Sequence, residues 1–331
     1  MRYLITGGAG FIGSHLAETL LARGDDVLLL DDFSTGRREN VAHLLDDAGG
    51  RVELISGSVL DADLVADAIP RVDVVAHLAA SVGVQLIVAK PLETLLNNVR
   101  GTEVVLEAAA RTGTKVLVTS TSEIYGKNAA GPLREDSDRI LGSPLVSRWS
   151  YSTSKAVDEI FAHGYWKERG LPTVIVRLFN CAGPRQSPES GMVIPRFVRQ
   201  AIRGEDITVY GDGTQARSFC HVLDTVGGLV ALLDEPAAVG DVFNVGAQNE
   251  TTILGLAELV VEMTGSSSSI RYLSYSEAYE PGFEDMERRL PNIAKIQRVT
   301  GWQPVRSLRD IIRDVMSLEL KLSGSLPIDT A

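Results

Sequence analysis

The chain has 331 residues, 44% of them apolar and 23% charged, with a formal net charge of −11. The length suits one large α/β unit or two joined domains, and the composition is ordinary for a globular enzyme. The acidic balance argues against a nucleic-acid groove, which needs a basic face, but a local arginine cluster can still receive an anionic small molecule.

In chain order, Arg2–Thr6 reads as a short apolar strand. "GGAGFIGSHLAETLLARG" follows as a turn and an amphipathic helix stopped at Gly24. "DVLLLDD", "RVELISGSV", "VDVVAHLAA", "KVLVTSTSEIYG" and "PTVIVRLFN" are further strands, with helices expected over Leu60–Ala68, Pro91–Thr112 and Ser152–Arg169. Strands alternating with helices at this pace predict a doubly wound parallel sheet. After about Asn180 the rhythm changes. "GPRQSPESG" is loop, "VIPRFVRQAIRG" helix, "ITVYGDGTQARSF" a strand with a turn, "DVFNVG" a strand and "TILGLAELVVEMTG" a helix. "SSSSI" is read as a polar linker and "YEPGFEDMERRLPN" as an ordered loop. The expected division is a Rossmann-like domain over 1–178 and a smaller mixed α/β domain over 179–331, interleaved with the first. Cys181 and Cys220 lack C-x-x-C spacing, so a disulfide framework is not expected and a reducing cytoplasm fits. The five histidines form no metal-binding pattern. No apolar run reaches membrane-spanning length, and the chain starts directly on a strand, which leaves no room for a signal peptide.

Gly7, Gly10 and Gly13 form G-x-x-G-x-x-G in the first βα turn. The first permits the turn, the second lets backbone approach a pyrophosphate, and the third lets helix and strand pack closely. The helix start at Phe11 and Ile12 offers N–H groups and a partial positive charge to phosphate. Asp31 closes the second strand as a ribose-binding carboxylate, which favours NAD over its 2′-phosphorylated form. Arg37 and Arg38 are a counter-signal, read here as a solvated loop because Asp31 and Asp32 come first.

"VTSTSEIYG" ends a strand in hydroxyls and one carboxylate, including Thr121, Ser122 and Glu123. Such a cluster often satisfies only its own backbone. The next helix, however, carries Tyr151 and Lys155, which share a face at i and i+4. An ammonium and a cationic nicotinamide ring nearby are expected to lower the phenol's pKa, so that Tyr151 acts as a base. Lys155 is also expected to hold the nicotinamide ribose.

GGAGFIG, HLAA, NVRGT, TSTSEIYG, YSTSK, RLFNCAGPRQ and VYGDGTQARSF occur in this order along nearly the whole chain. In this the chain resembles the extended short-chain dehydrogenases/reductases of the nucleotide-sugar epimerase, dehydratase and decarboxylase group. The resemblance implies cofactor contacts from Leu78, Ala79, Ala80 and Asn98. It implies that Thr121, Ser122 and Tyr151 address the sugar, that Asn180, Arg185 and Arg217 reach a nucleotide diphosphate, and that Tyr210 lies near the base. T-S-E at Thr121–Glu123, "RWSYSTSK", and Arg289 ahead of Leu290-Pro291 resemble UDP-glucuronate decarboxylases, in which the Glu and the Arg lie near the sugar carboxylate. Glu123 and Arg289 thus join Thr121, Tyr151 and Lys155 as expected catalytic residues. "HLAASVGVQLIVAKP" is closer to 4-epimerases of UDP-glucose or UDP-glucuronate, which remain the alternative. Ser58 and Cys181-Ala182 depart from the family pattern. A non-catalytic NAD-binding scaffold is disfavoured because both Tyr151 and Lys155 are present. The two long helices Pro91–Thr112 and Ser152–Arg169 imply a homodimer through a four-helix bundle.

Overall fold

The computed structural model describes residues 1–47, 49–83, 87, 89–188, 191–274, 286 and 288–324. Most of the expected "YEPGFEDMERRLPN" loop lies outside the described residues.

Seven strands form one parallel sheet. They are Arg2–Thr6 (β1), Asp26–Asp31 (β2), Val52–Ser56 (β3), Val74–His77 (β4), Lys115–Thr121 (β5), Thr173–Leu178 (β6) and, after the shorter strands named below, Val242–Val245 (β11). The order is β11-β6-β5-β4-β1-β2-β3. It reverses between β1 and β4, the place where an open α/β sheet leaves a crevice beyond its strand ends. Alternate residues of one strand enter different cores, because strand side chains point to opposite faces. Ile5 and Leu29 pack on one face with Leu16 and Leu20 of helix Phe11–Ala22 (α1). Leu4 and Leu28 pack on the other, with Val65 and Val105. The helices there are Ala62–Ala68 (α3, following the short helix α2 at Ala42–Asp47) and Pro91–Thr112 (α4). Burial on both faces explains why these strands read as continuous apolar runs.

Downstream of residue 178 the chain builds a second core while returning to the first. Helix Arg148–Arg169 (α5) leads into β6, and the strands Cys181–Ala182 (β7), Ile207–Tyr210 (β8), Ala216–Ser218 (β9) and Cys220–His221 (β10) follow, with helix Val193–Ile202 (α6) among them. Helix Val222–Asp234 (α7), which the sequence reading had not marked, packs Val226 and Leu229 into the first core. The second core joins Phe197, Val209, Leu256 and Ile311, drawing on helices Ile253–Thr264 (α8) and Leu308–Leu322 (α10, after α9 at Ala294–Thr300). The supposed linker ends in a strand, Ile270–Leu273 (β13), which pairs in parallel with β8. The expected single strand from Ile207 to Phe219 is two, β8 and β9, in separate small sheets. β9 lies between Glu250–Thr252 (β12) and Arg288–Arg289 (β14).

A buried polar network ties β5, α5, β6 and β11 together. Arg177 on β6 donates from Nε (2.9 Å) and Nη2 (2.7 Å) to the two carboxylate oxygens of Glu159 on α5. Its Nη1 donates to the Tyr125 hydroxyl at 2.8 Å, which in turn donates to Asn244 Oδ1 on β11 at 2.7 Å. Ser120 on β5 donates to Glu159 at 2.6 Å. Burial pushes the Tyr125 phenol up to about 12. Arg177→Met leaves the Glu159 carboxylate buried without its counter-charge. The expected loss is about 3–5 kcal/mol, measured by denaturant unfolding, with partial recovery in Arg177→Met/Glu159→Gln.

Candidate active site

The strand ends around the reversal point open on a cleft of ≈ 520 Å³. Its floor is the glycine turn. Gly7 has φ +69°, and a Cβ there would come within 3.0 Å of Ala79 backbone. At Gly13 a Cβ would run into the Gly7 carbonyl oxygen, so only glycine lets α1 sit this close to the turn. Gly7, Gly10, Gly13, Phe11, Ile12 and Asp31 all line the cleft. Asp31 accepts the Ala9 N–H at 2.9 Å and the Phe33 N–H at 2.8 Å, so it fastens the glycine loop as well as facing the cleft. Burial raises its pKa, against those backbone hydrogen bonds. Arg37 and Arg38 are exposed and do not line the cleft.

The next wall follows β4. Leu78, Ala79 and Ala80 line the cleft. They are held by His77, whose Nδ1 meets Thr6 Oγ1 at 2.8 Å and whose Nε2 meets Thr102 Oγ1 at 3.1 Å. Thr6 Oγ1 also accepts the Ala79 N–H at 3.2 Å. Asn98 lines the cleft, but its amide is used on the Ser81 N–H (2.7 Å) and the Ser154 hydroxyl (3.3 Å). Its first task is therefore to shape this loop. Ser58 lines the cleft, and its hydroxyl accepts the Leu60 N–H at 3.3 Å.

The chemical end lies where β5 meets α5. After Thr121 the chain turns through a short 3₁₀ segment, Ser122–Tyr125. Thr121 Oγ1 accepts the Glu123 N–H at 3.2 Å, and Ser152 Oγ donates to the Glu123 carbonyl at 2.8 Å. Helix α5 starts at Arg148 rather than at the expected Ser152, which puts Tyr151 in its first turn. Thr121, Ser122, Glu123, Tyr151 and Lys155 all line the cleft, and the Tyr151 phenol hydrogen-bonds to Thr121. Glu123 Oε1 is shared by two guanidinium groups, Arg148 Nη2 at 3.3 Å and Arg289 Nη1 at 3.4 Å. Glu123 Oε2 is buried and has no hydrogen-bond partner among the described residues.

One expectation is corrected here. The protein's own groups do not lower the Tyr151 pKa. Burial first, then the Glu123 and Asp158 carboxylates, raise it well above the usual phenol, and the Thr121 hydrogen bond and Arg289 oppose them. The Lys155 ammonium is engaged by Asp158 at 2.8 Å.

The opposite wall is built by the later half of the chain. β9 pairs in parallel with β14, setting Arg217 directly beside Arg289 although 72 positions separate them in sequence. Both line the cleft, as do Asn180 and Tyr210. Asn180 has a positive φ of 23° and donates from Nδ2 to the Ser218 carbonyl at 3.0 Å. Arg196 lies over the Tyr210 ring, 4.0 Å from its centroid. Cys181 also lines the cleft, with its thiol pKa raised by burial. Arg185 is a second correction. It does not line the cleft and instead binds Glu18 and, at 3.1 Å, Ser14 of α1. Burial resists ionisation of Glu18, but hydrogen bonds from His15 and Arg185 bring its pKa down to about 2. The sequence reading gave no role to Arg148 or Arg196. "RWSYSTSK" held a signal for the first, an arginine one helical turn before the tyrosine. The second lay in an amphipathic helix with nothing to single it out.

The NAD dependent epimerase/dehydratase family model matches residues 3–246. The chain belongs to that family. Its glycine turn, with no room for a Cβ, and the Asp31 carboxylate beside it fit the dinucleotide of that family, NAD. The chain is 41% identical over 305 residues to UDP-N-acetyl-alpha-D-glucosaminuronate decarboxylase of Bacillus cytotoxicus, covering 92% of each chain. It is 39% identical to UDP-glucuronic acid decarboxylase 1 of Arabidopsis thaliana, over 94% of this chain and 68% of that one. The solved UDP-glucuronic acid 4-epimerase of Bacillus cereus, in complex with UDP-glucuronic acid and NAD, superposes with a TM-score of 0.86 at 29% identity, over 97% of this chain and 100% of that one.

Burial, then the Lys155 ammonium, push the His77 pKa from 6.5 down to about 3. A histidine kept neutral in the fold contributes fully above its unfolded pKa. Between about 6.5 and 3 the unfolded chain takes up a proton that the folded chain refuses, so stability falls as pH falls through that window. Unfolding measured from pH 7.5 to 5 should show this uptake, and His77→Gln should remove about one proton of it.

Proposed function

We propose that this enzyme decarboxylates a UDP-linked uronic acid, with UDP-glucuronate as substrate and a UDP-pentose such as UDP-xylose as product. The observation that carries the reading is the arrangement of Arg148 and Arg289 about Glu123, next to Tyr151 and Thr121. Both guanidinium groups bring positive charge to the sugar end of the cleft. A sugar carboxylate answers that charge with charge-assisted hydrogen bonds, and a neutral hexose does not. The two relatives support the reading, since both names describe decarboxylation of a UDP-linked uronic acid.

Residues of the glycine turn and Asp31 would hold NAD, with Lys155 and Tyr151 at its nicotinamide end. Bound NAD supplies hydride exchange at C4 of the sugar and a positive ring charge beside the phenol. Tyr151 takes the proton of the 4-hydroxyl, which Thr121 orients. With C4 a ketone, the sugar is a β-keto acid. Its C5–C6 bond breaks, CO₂ leaves, and the electron pair passes into the C4 carbonyl as an enolate. Arg289 and Arg148 hold the carboxylate in line for that cleavage. Glu123 orients the water or proton that quenches the enolate at C5. Arg217 and Asn180 receive the diphosphate, and Tyr210 and Arg196 the base. Release before the hydride returns would give a UDP-4-keto-pentose instead. The alternative, 4-epimerisation, shares the first step and is favoured by the "HLAASVGVQLIVAKP" segment.

The assembly we propose is a homodimer through α4 and α5. Leu92 and Ile160 on these helices are 67% and 66% exposed, and Leu96 and Trp166 are also open to solvent. The cytoplasmic reading rests on the two free thiols, Cys181 and Cys220. No helix among the described residues is long and apolar enough to cross a membrane.

Incubation with UDP-glucuronate should release CO₂ and give a UDP-pentose by NMR; recovery of UDP-galacturonate alone would make the chain an epimerase. Tyr151→Phe should abolish turnover and leave NAD affinity intact. Arg289→Met should cut kcat/KM for the uronate by roughly 100-fold with UDP binding little changed. Sedimentation should give a dimer, and Ile160→Glu should shift it towards monomer.

A further inference from the structure

We propose that Asp158 is a positioning residue for the Tyr151–Lys155 pair: its carboxylate keeps the Lys155 ammonium charged and in place, and the two form a neutral couple on the helix that carries Tyr151. The proposal rests on the reading of Tyr151 as the base, not on which sugar is bound.

Lys155 Nζ meets Asp158 Oδ2 at 2.8 Å, one turn along α5, and the two side chains are 3% and 0% exposed. An ammonium stripped of water is stable only beside a counter-charge. The neighbouring carboxylates are occupied elsewhere. Glu159 binds Arg177 and Ser120, and Glu123 faces Arg148 and Arg289. Asp158 therefore supplies the compensation. Only one of its oxygens is used so, because Oδ1 is buried and has no hydrogen-bond partner among the described residues. A carboxylate with half its capacity unmet is costly to bury. Its charge is also felt at the Tyr151 phenol. Among the described residues, the charged and titratable groups around the pair include Asp158 on the helix itself, Arg148 at its start, Glu123 on the 3₁₀ segment after β5, Arg289 on β14, and His77 on β4, which faces Lys155 as a neutral ring. Ammonium and carboxylate form a neutral couple, so the field of Lys155 at the phenol is largely cancelled. This agrees with Asp158 being among the groups that raise the Tyr151 pKa, after burial and Glu123.

The test uses the NAD-loaded protein without sugar. The phenolate of Tyr151 is followed by ultraviolet difference titration, with Tyr151→Phe as the blank. Asp158→Asn should lower its midpoint by about one pH unit, and Asp158→Glu should restore it; an unmoved midpoint overturns the proposal. Asp158→Asn should also weaken NAD binding by about tenfold in calorimetry. In a Lys155→Met background no ammonium is left to position, and the same substitution should change NAD affinity by less than about twofold. An undiminished tenfold loss there would mean that Asp158 acts on the fold alone and overturns the proposal. If Asp158→Asn does not fold by itself, the comparison of Lys155→Met with Lys155→Met/Asp158→Asn still decides, since the double variant buries no lone charge. None of these readouts involves the sugar. A chain that epimerised would fail the product assay and leave this result untouched.

Discussion

The bidentate contact of Arg177 with Glu159 is the constraint on which the active centre depends. Thr121 stands at the end of a strand and Tyr151 in the first turn of a helix. Ser152 ties the two segments locally through the Glu123 carbonyl, and the buried guanidinium fixes the helix against the strand at a second level. It clamps Glu159, two turns along from Tyr151, to β6, while Ser120, the residue before Thr121, donates to the same carboxylate. Tyr125 and Asn244 extend the clamp to β11, so the last strand of the sheet is in register with the site. An apolar packing of equal volume would serve stability as well or better. The ionic version adds direction, because a planar fork accepts one orientation of its partner.

A second constraint collects positive charge in an acidic molecule. With a net charge of −11, the chain repels anions at long range. Its cleft nevertheless gathers Arg148, Arg196, Arg217 and Arg289. They come from four separate segments, and only the pairing of β9 with β14 brings Arg217 and Arg289 side by side. Low-dielectric walls make such a cluster felt locally even when the overall field is adverse. The apolar remainder of the cleft is thus part of the electrostatics.

What the sequence disclosed follows from range. The parallel sheet was legible because each strand is buried on both faces and so reads as an apolar run, and the glycine turn because its steric demand is met by residues within one βα unit. Tyr151 and Lys155 were legible as a helix pair for the same reason. Arg185 was misplaced because its partner, Glu18, is distant in sequence and competes for the guanidinium. β9, β12 and β14 are two or three residues long, too short for any period to declare them. The part of Arg148 in the site depends on where α5 begins, and helix ends are what sequence patterns fix least well.

The charge balance at Tyr151 shows why a lysine four residues on is not sufficient evidence of a lowered phenol pKa. Sequence spacing supplies the cation but conceals its counter-ion, and here Asp158 lies between the ammonium and any net effect on the phenol. With burial and two carboxylates opposing ionisation, Tyr151 is held protonated by the protein's own groups. A base of that kind acts only when further positive charge enters the cleft with its ligands. In the proposed mechanism that charge is the cofactor's nicotinamide ring, since a UDP-linked uronate brings only negative charge, so ionisation of the phenol is coupled to occupancy by the cofactor.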